Sequence, residues 1–519
     1  MTPERYVTLL APEICMIGGA CLLFLIGVSK SALTRSLTAP LAVVVVILAM
    51  IATYRFGQPL NIYGQPLHPA PPAELAFSSL TWYVRWIALL VGSLILLINW
   101  QVPAENERGE FFGLILCSMT GVMLTGSAND LVVLFLALEL VSVPTYVLVA
   151  LSRTDQRASE GAMKYFFLGA LAAAVTVYGF SILYGSGGTT LLYSTSTTSI
   201  ADQFSGGQSM GTYTLLGMLF AFAGLSFKVA AVPFHAYAPD VYEGAASPVT
   251  GLLGFLPKAA GFVAMIKLLS TCNWQLPDAL MWLLWIVAAA TMTVGNVLAL
   301  WQNNVKRMLA YSSIAHSGYM LIGLLVGPVL GTGPMRDGVA ALLFYLVIYG
   351  IMNLGAFGVL ANLSRKGQPV ETLDDLAGVS RRTPLSAIGL VVCAFSLMGF
   401  PPTAGFLGKV YVFSSALSVG EGHSFHGPLV VLVVIAVINS AIGAAYYLRI
   451  AAACFLREPT EEVQSVGGVT MHWAITVCAV AMIVLFVRPN AVVRQAQLAT
   501  QELSPDSGSM VAHADAALN

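Results

Sequence analysis

The sequence predicts an all-α polytopic membrane protein with about fourteen transmembrane helices and two inverted five-helix repeats, each of which contains a broken helix. Three observations lead to this prediction. Hydrophobic residues make up 57% of the 519-residue chain and charged residues only 9%, whereas soluble domains carry roughly a quarter charged residues. Apolar runs longer than the roughly 18 residues that mark a spanning helix recur along the chain. Prolines and lysines lie inside several of these runs, which favours helices that break within the membrane.

Fourteen apolar runs define the predicted spans, numbered 1 to 14 along the chain. The first run is long for the apolar region of a signal peptide and no clear A-x-A cleavage site follows it, so we interpret it as a retained helix. The runs cover residues 9–28, 38–56, 79–100, 111–127, 130–151, 162–184, 212–237, 248–269, 279–300, 308–328, 338–362, 387–418, 428–455 and 471–489.

Basic residues outside the interiors of the spans, in loops and at span ends, indicate the orientation of the chain. When the N-terminus is placed outside, fourteen Lys and Arg residues fall on the inner side and six on the outer side. Because inner loops are enriched in Lys and Arg, we predict that both termini lie on the outer, periplasmic side of a bacterial inner membrane. The inner set is Lys30, Arg35, Arg108, Arg153, Arg157, Lys164, Lys306, Arg307, Arg365, Lys366, Arg381, Arg382, Arg449 and Arg457, and the outer set is Arg5, Arg55, Lys267, Arg336, Arg488 and Arg494.

Four charged residues lie deep inside predicted spans, namely Glu139, Lys228, Lys258 and Lys409, whereas Arg85 lies at the start of span 3. Glu139 is the only charged residue of LVVLFLALELVSVPTYVLVAL, residues 131–151. A charge at the centre of a membrane helix costs about 2.5–3.5 kcal/mol even on insertion scales, so each of the four needs a partner, water or a function. A buried ion pair that only fixes helix packing is the structural alternative for any one of them.

Prolines interrupt two of the spans that carry these lysines. Span 12, residues 387–418, has 32 residues, and as one straight helix it would be about 48 Å long, well beyond a hydrocarbon core of about 30 Å. Pro401 and Pro402 would free the two carbonyls four residues before them, and Pro233 in span 7 would free the carbonyl of Val229. Broken helices occur in membranes where protein or a wet cavity covers them, and they mark ion sites in transporters.

Spans 7 and 12, which contain the two breaks, are five spans apart. If spans 4–8 and 9–13 are repeats, the odd number of spans turns the second unit upside down, and inverted repeats with matched broken helices are typical of transporters. The predicted segments are a three-helix segment at 1–110, a first repeat at 111–270 with its break near 228–237, a second repeat at 279–456 with its break near 399–405, and a last helix with a polar tail at 457–519. The polar stretch 494–519 is expected to be disordered.

An intramembrane lysine beside a carboxylate can carry protons. Desolvation penalises its ammonium form and a nearby carboxylate stabilises that form, so a change in the partner switches the lysine between holding and releasing a proton. A chain of such groups bridged by water is a proton relay. His235, seven residues after Lys228 and near the inner end, has two interpretations. It either exchanges protons with the inner water near neutral pH or packs at a loop.

Five segments in spans 4 to 13 are long and specific enough to compare with known families. They read LALELVSVPTYVL, FKVAAVPFHAYAPDVYEGAASPVT, FLPKAAGF, NVKRMLAYSSIAHSGYMLIG and GFPPTAGFLGKVYVF. The segments resemble the antiporter-like membrane subunits of respiratory complex I, the proton-pumping NADH-quinone oxidoreductase. The resemblance is closest to the N-type branch of that family, which is called subunit 2 in mitochondria and chloroplasts.

The resemblance implies a fourteen-helix subunit with two inverted five-helix repeats in the membrane arm of the complex. Such a subunit moves protons across the inner membrane while the electron transport from NADH to quinone takes place in other subunits. Carried over by motif, Glu139 would pair with Lys228, Lys258 would be the central connector, and Lys409 would face the outer exit.

Several further residues in the matching segments are weaker candidates, for which ordinary packing is an equally good interpretation. Asp240 and Glu243, in the inner loop after span 7, would either cap the next helix or bind a neighbouring segment. The other weaker candidates are His235, His316, Tyr311, Tyr345 and Tyr349.

Cofactor motifs are missing from the sequence. Seven cysteines are scattered through apolar segments without a CxxC motif or a Cys/His cluster, and no GxGxxG or GxxxxGK[ST] motif is present. We therefore expect no iron-sulfur, zinc, haem or nucleotide site in this chain. The net charge of −1 gives no indication of a nucleic-acid partner. By resemblance, the expected partners are the lipid bilayer, an adjacent M-type subunit and a small K-type subunit.

Related subunits provide the alternatives. M-type subunits and the D subunit of multisubunit cation/proton antiporters look similar but carry a glutamate where this chain has Lys409. L-type subunits have a long C-terminal extension, whereas the sequence after about residue 455 has room for one span and a polar tail. A stand-alone ion or solute antiporter would use the same buried charges, and a pure scaffold would need none of them. A subunit of a multisubunit cation/proton antiporter or of a membrane-bound hydrogenase, whose complexes use related subunits, is the alternative within the family.

Overall fold

The computed structural model describes residues 7–56, 74–153, 155–194, 198–204, 210–328, 336–365, 367–458, 463–501 and 503. Two residues used to predict the orientation, Arg5 and Lys366, lie outside the described residues, as do parts of the loop 185–211 and the tail from 504 onward.

The described part is almost entirely helical, with one small sheet, which confirms the predicted all-α class. The helices are α1 (Ala11–Gly27), α2 (Ala32–Ser36), α3 (Thr38–Phe56), α4 (Ser79–Ile98), α5 (Arg108–Ser127), α6 (Leu131–Leu151), α7 (Gln156–Gly187), α8 (Thr212–Lys228), α9 (Tyr237–Gly244), α10 (Ser247–Leu253), α11 (Leu256–Thr271), α12 (Asp278–Leu300), α13 (Val305–Val326), α14 (Gly338–Asn362), α15 (Val379–Arg382), α16 (Pro384–Met398), α17 (Ala404–Leu417), α18 (His426–Leu456), α19 (Val469–Val487) and α20 (Asn490–Gln501). Short 3₁₀ turns cover Glu105–Glu107 and Ala201–Phe204.

Among the described residues, eleven helical stretches are long and apolar enough to cross a membrane, and four further apolar helices (α1, α8, α16 and α17) are shorter. Three of the short helices belong to interrupted spans, because α8 is followed by α9 after a non-helical segment and α16 is followed by α17. The chain is therefore a multi-pass membrane protein in which some crossings are built from broken helices.

The first break separates α8 from α9 at residues 229–236. Pro233 has no N–H, and the carbonyl of Val229, four residues earlier, accepts a hydrogen bond from Ser317 Oγ at 2.6 Å instead. The N–H of Val232 donates to Thr291 Oγ1 at 3.0 Å. Side chains of neighbouring helices thus satisfy backbone groups that an intact helix would have paired, as hydrocarbon surroundings require.

The second break separates α16 from α17 around the Pro401–Pro402 pair. Gly399 ends α16 in the left-handed conformation, with φ of 80°, which costs glycine little because it has no Cβ. The carbonyl of Met398, four residues before Pro402, accepts a hydrogen bond from Lys409 Nζ at 2.8 Å. A third, shorter interruption at residues 254–255 divides α10 from α11, where the sequence suggested one continuous span.

The buried centre of the molecule consists of α10, α11, α13 and α14. The stretches Ser247–Thr271 and Gly338–Asn362 are buried along their whole apolar windows. Helices α3, α7 and α18 present large apolar side chains on one side, as expected for lipid-facing helices. The candidate residues on α11, α13 and α14 therefore lie in the interior of the protein.

One end of the molecule carries a three-stranded antiparallel sheet, and we call it the sheet end. Its strands are β1 (Leu363–Arg365), β2 (Gln368–Pro369) and β3 (Val463–Ser465), in the order β2-β1-β3. Ion pairs cluster there. Arg153 binds Glu371 at 2.7 Å, next to the loop that joins α14 to α15. Several basic residues of the predicted inner set thus meet at one end.

Three basic residues differ from their assignment by sequence. Lys306, which the sequence placed in an inner loop, and Lys267, which it placed at the outer flank of span 8, are both buried. Arg85 is also buried, because it forms an ion pair with Glu13, a carboxylate that the sequence did not single out. Neighbouring segments cover loops and helix ends in this fold. The position of a residue relative to an apolar run therefore did not predict its solvent exposure.

The C-terminal stretch differs from the expected disorder. Residues 490–501 form α20, and Val493, Ala496 and Ala499 on one face are buried. The helix packs on α4 and on the beginning of α14, where Thr500 contacts the carboxylate of Asp337. The stretch is polar overall, but its apolar residues share one face of an amphipathic helix. That face is small, yet it is sufficient for packing because α4 and α14 provide a surface.

Candidate proton-transfer site

Glu139 and Lys228 lie at one end of a set of buried polar contacts. Lys228 is the last residue of α8, and its Nζ donates to Glu139 Oε1 at 2.8 Å and to the hydroxyl of Ser142. Ser142 follows Glu139 by three residues in α6, so both face Lys228 from one side of that helix. The Lys228 side chain is 4% exposed and the Glu139 side chain 23%. The ammonium is therefore buried, while the carboxylate reaches the surface of this chain.

Lys258 lies next along this set of contacts, and all of its hydrogen-bond partners are neutral. Its Nζ donates to Ser317 Oγ at 2.8 Å and to the carbonyl of Ser313, and it lies 5.3 Å from the centre of the Tyr349 ring. Ser317 in turn donates to the carbonyl of Val229 at 2.6 Å. Because Val229 directly follows Lys228, the backbone at the first break joins the surroundings of the two lysines.

His316 lies between two phenols in the centre of the protein. Its Nδ1 is 2.7 Å from Tyr345 OH and its Nε2 is 3.0 Å from Tyr447 OH, and Tyr447 also contacts the hydroxyl of Ser312. An imidazole with a hydroxyl on each nitrogen can accept a proton on one side and donate one on the other. The structure thus brings together His316 and Tyr345, which the sequence ranked below the lysines.

Lys409 lies at the second break. Its Nζ donates to the carbonyl of Met398 at 2.8 Å and to Ser440 Oγ at 2.9 Å. It also lies 4.9 Å from the centre of the Tyr319 ring, which packs edge-on against His316 with 5.9 Å between ring centres. A cavity of about 380 Å³ adjoins Lys409 and Ser440. Because the His316 ring also packs against the Tyr349 ring, with 5.2 Å between ring centres, the contacts extend from Glu139 to a cavity beside Lys409.

The three lysines differ in how their charge is compensated. Lys228 has a carboxylate partner, whereas the hydrogen-bond partners of Lys258 and Lys409 are hydroxyls and backbone carbonyls. Burial without a counter-charge penalises an ammonium strongly, while hydrogen bonds and an aromatic face offset only part of that penalty. Such lysines change protonation state more readily than surface lysines.

Two of the weaker candidates stay apart from these contacts. His235 is half-buried in the segment between α8 and α9, where its ring contacts the backbone of Pro233. Tyr311 is half-buried on α13 and packs against the hydrophobic core. Tyr349, by contrast, donates to Ser313 Oγ at 2.7 Å and so joins the surroundings of Lys258.

Hydroxyl residues are the part of the site that sequence reasoning missed. Serine and tyrosine are common in apolar helices, so composition alone does not distinguish them. One signal was present: SSIAHS places serines four residues apart, at one turn of a helix, on both sides of His316. The additional residues are Ser142, Ser312, Ser313, Ser317, Tyr319, Ser440 and Tyr447.

Asp240 and Glu243 bind basic residues at the sheet end. Arg307 NH1 donates to Asp240 at 2.8 Å and to Glu243 at 2.7 Å, and Lys164 donates to Asp240 at 2.7 Å. Burial by itself would raise the pKa of the Asp240 carboxyl, but the hydrogen bonds from Lys164 and Arg307 outweigh it and hold that pKa below its ordinary value. The two carboxylates thus bind neighbouring segments, which was one of the two interpretations from sequence.

In the part of the chain that the structure describes, no three or more His, Cys, Asp or Glu side chains are grouped so that they could hold a metal ion. All seven cysteines are free thiols, and four of them (Cys272, Cys393, Cys454 and Cys478) are buried in the apolar core.

Buried lysines at broken helices, joined by hydroxyls and an imidazole, define a membrane protein of the ion-translocating class. The sequence model of the NADH:quinone oxidoreductase/Mrp antiporter transmembrane family matches residues 128–452. The chain belongs to this family, and within it to the subunit N group of NADH-quinone oxidoreductases.

Two relatives named NADH-quinone oxidoreductase subunit N illustrate the similarity. That of Trichlorobacter lovleyi is 40% identical over 81% of this chain and 83% of its own length. That of Rhodospirillum rubrum is 37% identical over 95% of this chain and 96% of its own. A chain of respiratory complex I from Thermus thermophilus, solved with bound aureothin, superposes with a TM-score of 0.74 at 30% identity, covering 93% of this chain and 98% of that one.

Proposed function

We propose that this chain is a proton-translocating membrane-arm subunit of an NADH-quinone oxidoreductase. Glu139, Lys228, Lys258 and Lys409 would be the stations of its proton relay, and His316 would connect the last two. The observation that carries the proposal is the series of hydrogen bonds and ring contacts that connects the partly exposed Glu139 with three buried lysines across the interior. A scaffold has no need of such a series, because each buried charge costs free energy.

We infer the following arrangement in the membrane. The chain crosses it fourteen times, with two inverted five-helix repeats at about 111–270 and 279–456. The sheet end faces the cytoplasm, because the basic residues there exceed those of the opposite end. Both termini then lie on the periplasmic side of the inner membrane. An M-type and a K-type subunit are the proposed neighbours, and Glu139, which is partly exposed on α6, would face one of them.

The relay would work through changes of electrostatic partner. While Glu139 is ionised and 2.8 Å from Lys228, the ammonium form of Lys228 is stabilised. When Glu139 is protonated or drawn away, Lys228 loses that stabilisation and its proton can leave toward Lys258. Lys258 and Lys409 have neutral partners, so an arriving proton is held only loosely and is passed on. Electron transfer would take place in other subunits, and this chain would hold no redox cofactor.

A second candidate is a subunit of a multisubunit cation/proton antiporter, since the matching family model also covers Mrp antiporters. A membrane-bound hydrogenase is a related possibility. Lys409 favours the NADH-quinone oxidoreductase, because the N-type branch resembles this chain in having a lysine at that position, whereas the antiporter D subunit carries a glutamate there. Purification in mild detergent with identification of the bound subunits distinguishes the three: NADH-oxidising and quinone-site subunits support our proposal, and antiporter or hydrogenase subunits would replace it.

The relay itself is tested at Lys409. Lys409→Met removes the ammonium and keeps the side-chain length, so the complex is expected to assemble while NADH-driven proton pumping falls by about tenfold or more. Lys409→Arg is expected not to rescue pumping, because a guanidinium holds its proton at accessible pH. Pumping is measured in inverted membrane vesicles at matched amounts of complex.

A matched control for these variants is Lys267→Met, which removes another buried lysine of the same chain, on α11. We expect normal pumping per assembled complex, since Lys267 is not among the proposed stations. If Lys409→Met pumped like wild type, Lys409 would be a packing residue and the proposed exit of the relay would be wrong.

A further inference from the structure

A buried asparagine on α12 connects three helices of the second predicted repeat. Asn296 donates from Nδ2 to the carbonyl of Met292 at 2.9 Å and to Tyr319 OH at 3.1 Å. Its Oδ1 accepts a hydrogen bond from Tyr446 OH at 3.0 Å. Because Tyr319 belongs to α13 and Tyr446 to α18, this one amide fixes the hydroxyls of two phenols that come from different helices.

The interface between α12 and α18 leaves room for the amide. A Cβ at Gly443 of α18 would lie 3.0 Å from Asn296 Oδ1 and 3.5 Å from Tyr446 OH, so a larger residue there would crowd the hydrogen bond between them. Asn439, one turn before Gly443, donates to Thr293 Oγ1 of α12 at 3.2 Å. Two amides thus bridge the same pair of helices, and Asn296 is the one that also reaches the phenol of α13.

The phenol that Asn296 holds faces the lysine of the second break. The centre of the Tyr319 ring lies 4.9 Å from Lys409 Nζ, within the distance of about 6 Å over which an aromatic face attracts an ammonium. The hydroxyl lies at the tip of the ring, so the hydrogen bond from Asn296 fixes the direction in which the ring points. The position of the aromatic face relative to the ammonium therefore depends on α12.

The aromatic face matters because the hydrogen-bond partners of this ammonium are neutral. They are the carbonyl of Met398 and the hydroxyl of Ser440. Lys409 is buried, and in a desolvated site an aromatic face favours the charged form of a lysine by about tenfold. Without the ring, Lys409 accepts an arriving proton less readily, and transfer through the second break slows.

We propose that Asn296 is a positioning residue that holds the Tyr319 ring against the Lys409 ammonium and thereby sets how readily Lys409 accepts a proton from the interior. The proposal rests on the proton-translocating function inferred above. Tyr446 supports the arrangement from α18 by fixing the amide oxygen. Asn296 itself neither gives nor takes a proton, because it acts on Lys409 only through the ring.

The first test asks whether Asn296 acts through the ring. Asn296→Leu removes the amide contacts at similar volume, and Tyr319→Phe keeps the ring and removes its hydroxyl. We expect each variant to lower NADH-driven proton pumping per assembled complex by about three- to tenfold. The double variant is expected to pump like the weaker single variant, because both changes break the same hydrogen bond. Multiplied losses in the double variant would show that the two residues act separately, and the proposal would be wrong.

Asn439→Leu is the matched control, because it removes the other amide bridge between α12 and α18. We expect this variant to pump normally per assembled complex. If Asn439→Leu lost as much pumping as Asn296→Leu, the packing of the two helices would be the cause, and the role of Asn296 in holding Tyr319 would be refuted.

The second test changes the electron density of the ring and keeps its shape nearly constant. Tyr319→Phe is compared with variants that carry mono-, di- and trifluorinated phenylalanine at the same position, introduced by suppression of an amber codon. Each fluorine weakens the negative face of the ring, on which the attraction for an ammonium depends. We expect pumping to fall stepwise along the series. Equal pumping throughout would mean that the ring only fills space beside Lys409.

Lys409→Met is the reference for both tests. If it does not pump while Asn296→Leu pumps like wild type, the positioning role is wrong and the proposed relay stands. If Lys409→Met itself pumps like wild type, the relay fails at this residue and the positioning role fails with it. If Asn296→Leu does not assemble, Asn296→Ser takes its place, because a serine hydroxyl can still bond the carbonyl of Met292 but is too short to reach Tyr319.

Discussion

Two buried ion pairs in this protein differ in almost every geometric respect. Arg85 donates from Nε and NH2 to both oxygens of Glu13, at 2.7 and 2.8 Å, and from NH2 also to the carbonyl of Leu9 at 2.9 Å. Both side chains are almost fully buried, at 1% and 2% exposure. Lys228, by contrast, makes one contact to Glu139, whose side chain is 23% exposed, and shares its ammonium with Ser142.

The difference shows how a membrane protein can use one kind of interaction for two purposes. A bidentate guanidinium–carboxylate pair is fixed in direction and keeps its proton at any accessible pH, so Glu13–Arg85 is suited to holding α1 against α4. A single lysine contact is less directional, and lysine can lose its proton when its partner changes. An ion pair thus stabilises helix packing at Glu13–Arg85, whereas at Glu139–Lys228 it can release a proton when the partner changes.

The largest effect is expected from breaking the pair that holds α1 and α4 together. Arg85→Met leaves the Glu13 carboxylate buried without a counter-charge, which costs about 3–5 kcal/mol. We expect strongly reduced amounts of assembled complex and a lower melting temperature in detergent. The double variant Glu13→Gln with Arg85→Met removes both charges and is expected to recover most of the assembly. Equal losses in the single and double variants would show that the pair is not the cause.

A somewhat smaller effect is expected from neutralising the other carboxylate. Glu139→Gln leaves Lys228 without its counter-charge, so its ammonium form is destabilised and the relay loses its first station. Proton pumping is expected to fall by about tenfold while assembly is largely kept, because the site is partly exposed and the amide still accepts a hydrogen bond. Full pumping at normal turnover in this variant would make Glu139–Lys228 a packing pair like Glu13–Arg85.

Exchanging the cation types of Lys228 and Arg85 tests the comparison between the two ion pairs more closely. Lys228→Arg keeps the positive charge but cannot release a proton, so we expect normal assembly with lost pumping. Arg85→Lys keeps the charge but loses the second hydrogen bond, so we expect weakened assembly with normal pumping per assembled complex. Both quantities are measured on the same membranes. Pumping by Lys228→Arg at the wild-type level would mean that Lys228 does not need to titrate.

The smallest effect concerns Asp337, a buried carboxylate that caps α14 and contacts Thr500 of α20. Burial raises the pKa of Asp337 from its usual 3.8 to about 6. Between these two pH values the folded chain binds more protons than the unfolded chain, so stability falls as pH rises from about 4 to about 6. Asp337→Asn keeps the capping oxygen and removes the charge.

The expected result for Asp337→Asn is a gain on the order of 1 kcal/mol in the docking of α20 at pH 7.5 and almost none at pH 4. Hydrogen–deuterium exchange of residues 490–501 measures that docking, after correction for the intrinsic pH dependence of exchange. Equal protection of wild type and variant at both pH values would mean that the carboxylate is stabilised by groups other than Thr500.

The extent of sequence-based prediction differs between elements for physical reasons. Helices in a membrane must be apolar and must satisfy their own backbone, so composition alone located the helical stretches and the prolines located both breaks. The division at residues 254–255 and the helix 490–501 were not foreseen. Both depend on contacts with other segments: Asn353 fills the space beside Gly254, and α4 and α14 provide the surface for α20.

The sequence by itself identified four charges deep in the membrane, Glu139, Lys228, Lys258 and Lys409, because a charged residue near the middle of an apolar run is conspicuous wherever the run folds. The pairing of Glu139 with Lys228, 89 residues apart, was expected only from the family resemblance, and the contact between Lys258 and Ser317, 59 residues apart, was not foreseen. Nor could the sequence distinguish Glu13–Arg85 from a pair of ordinary helix-end charges. Only the tertiary structure decides which side chains meet in the interior, because hydroxyls and imidazoles become selective partners only where burial has removed the competing water.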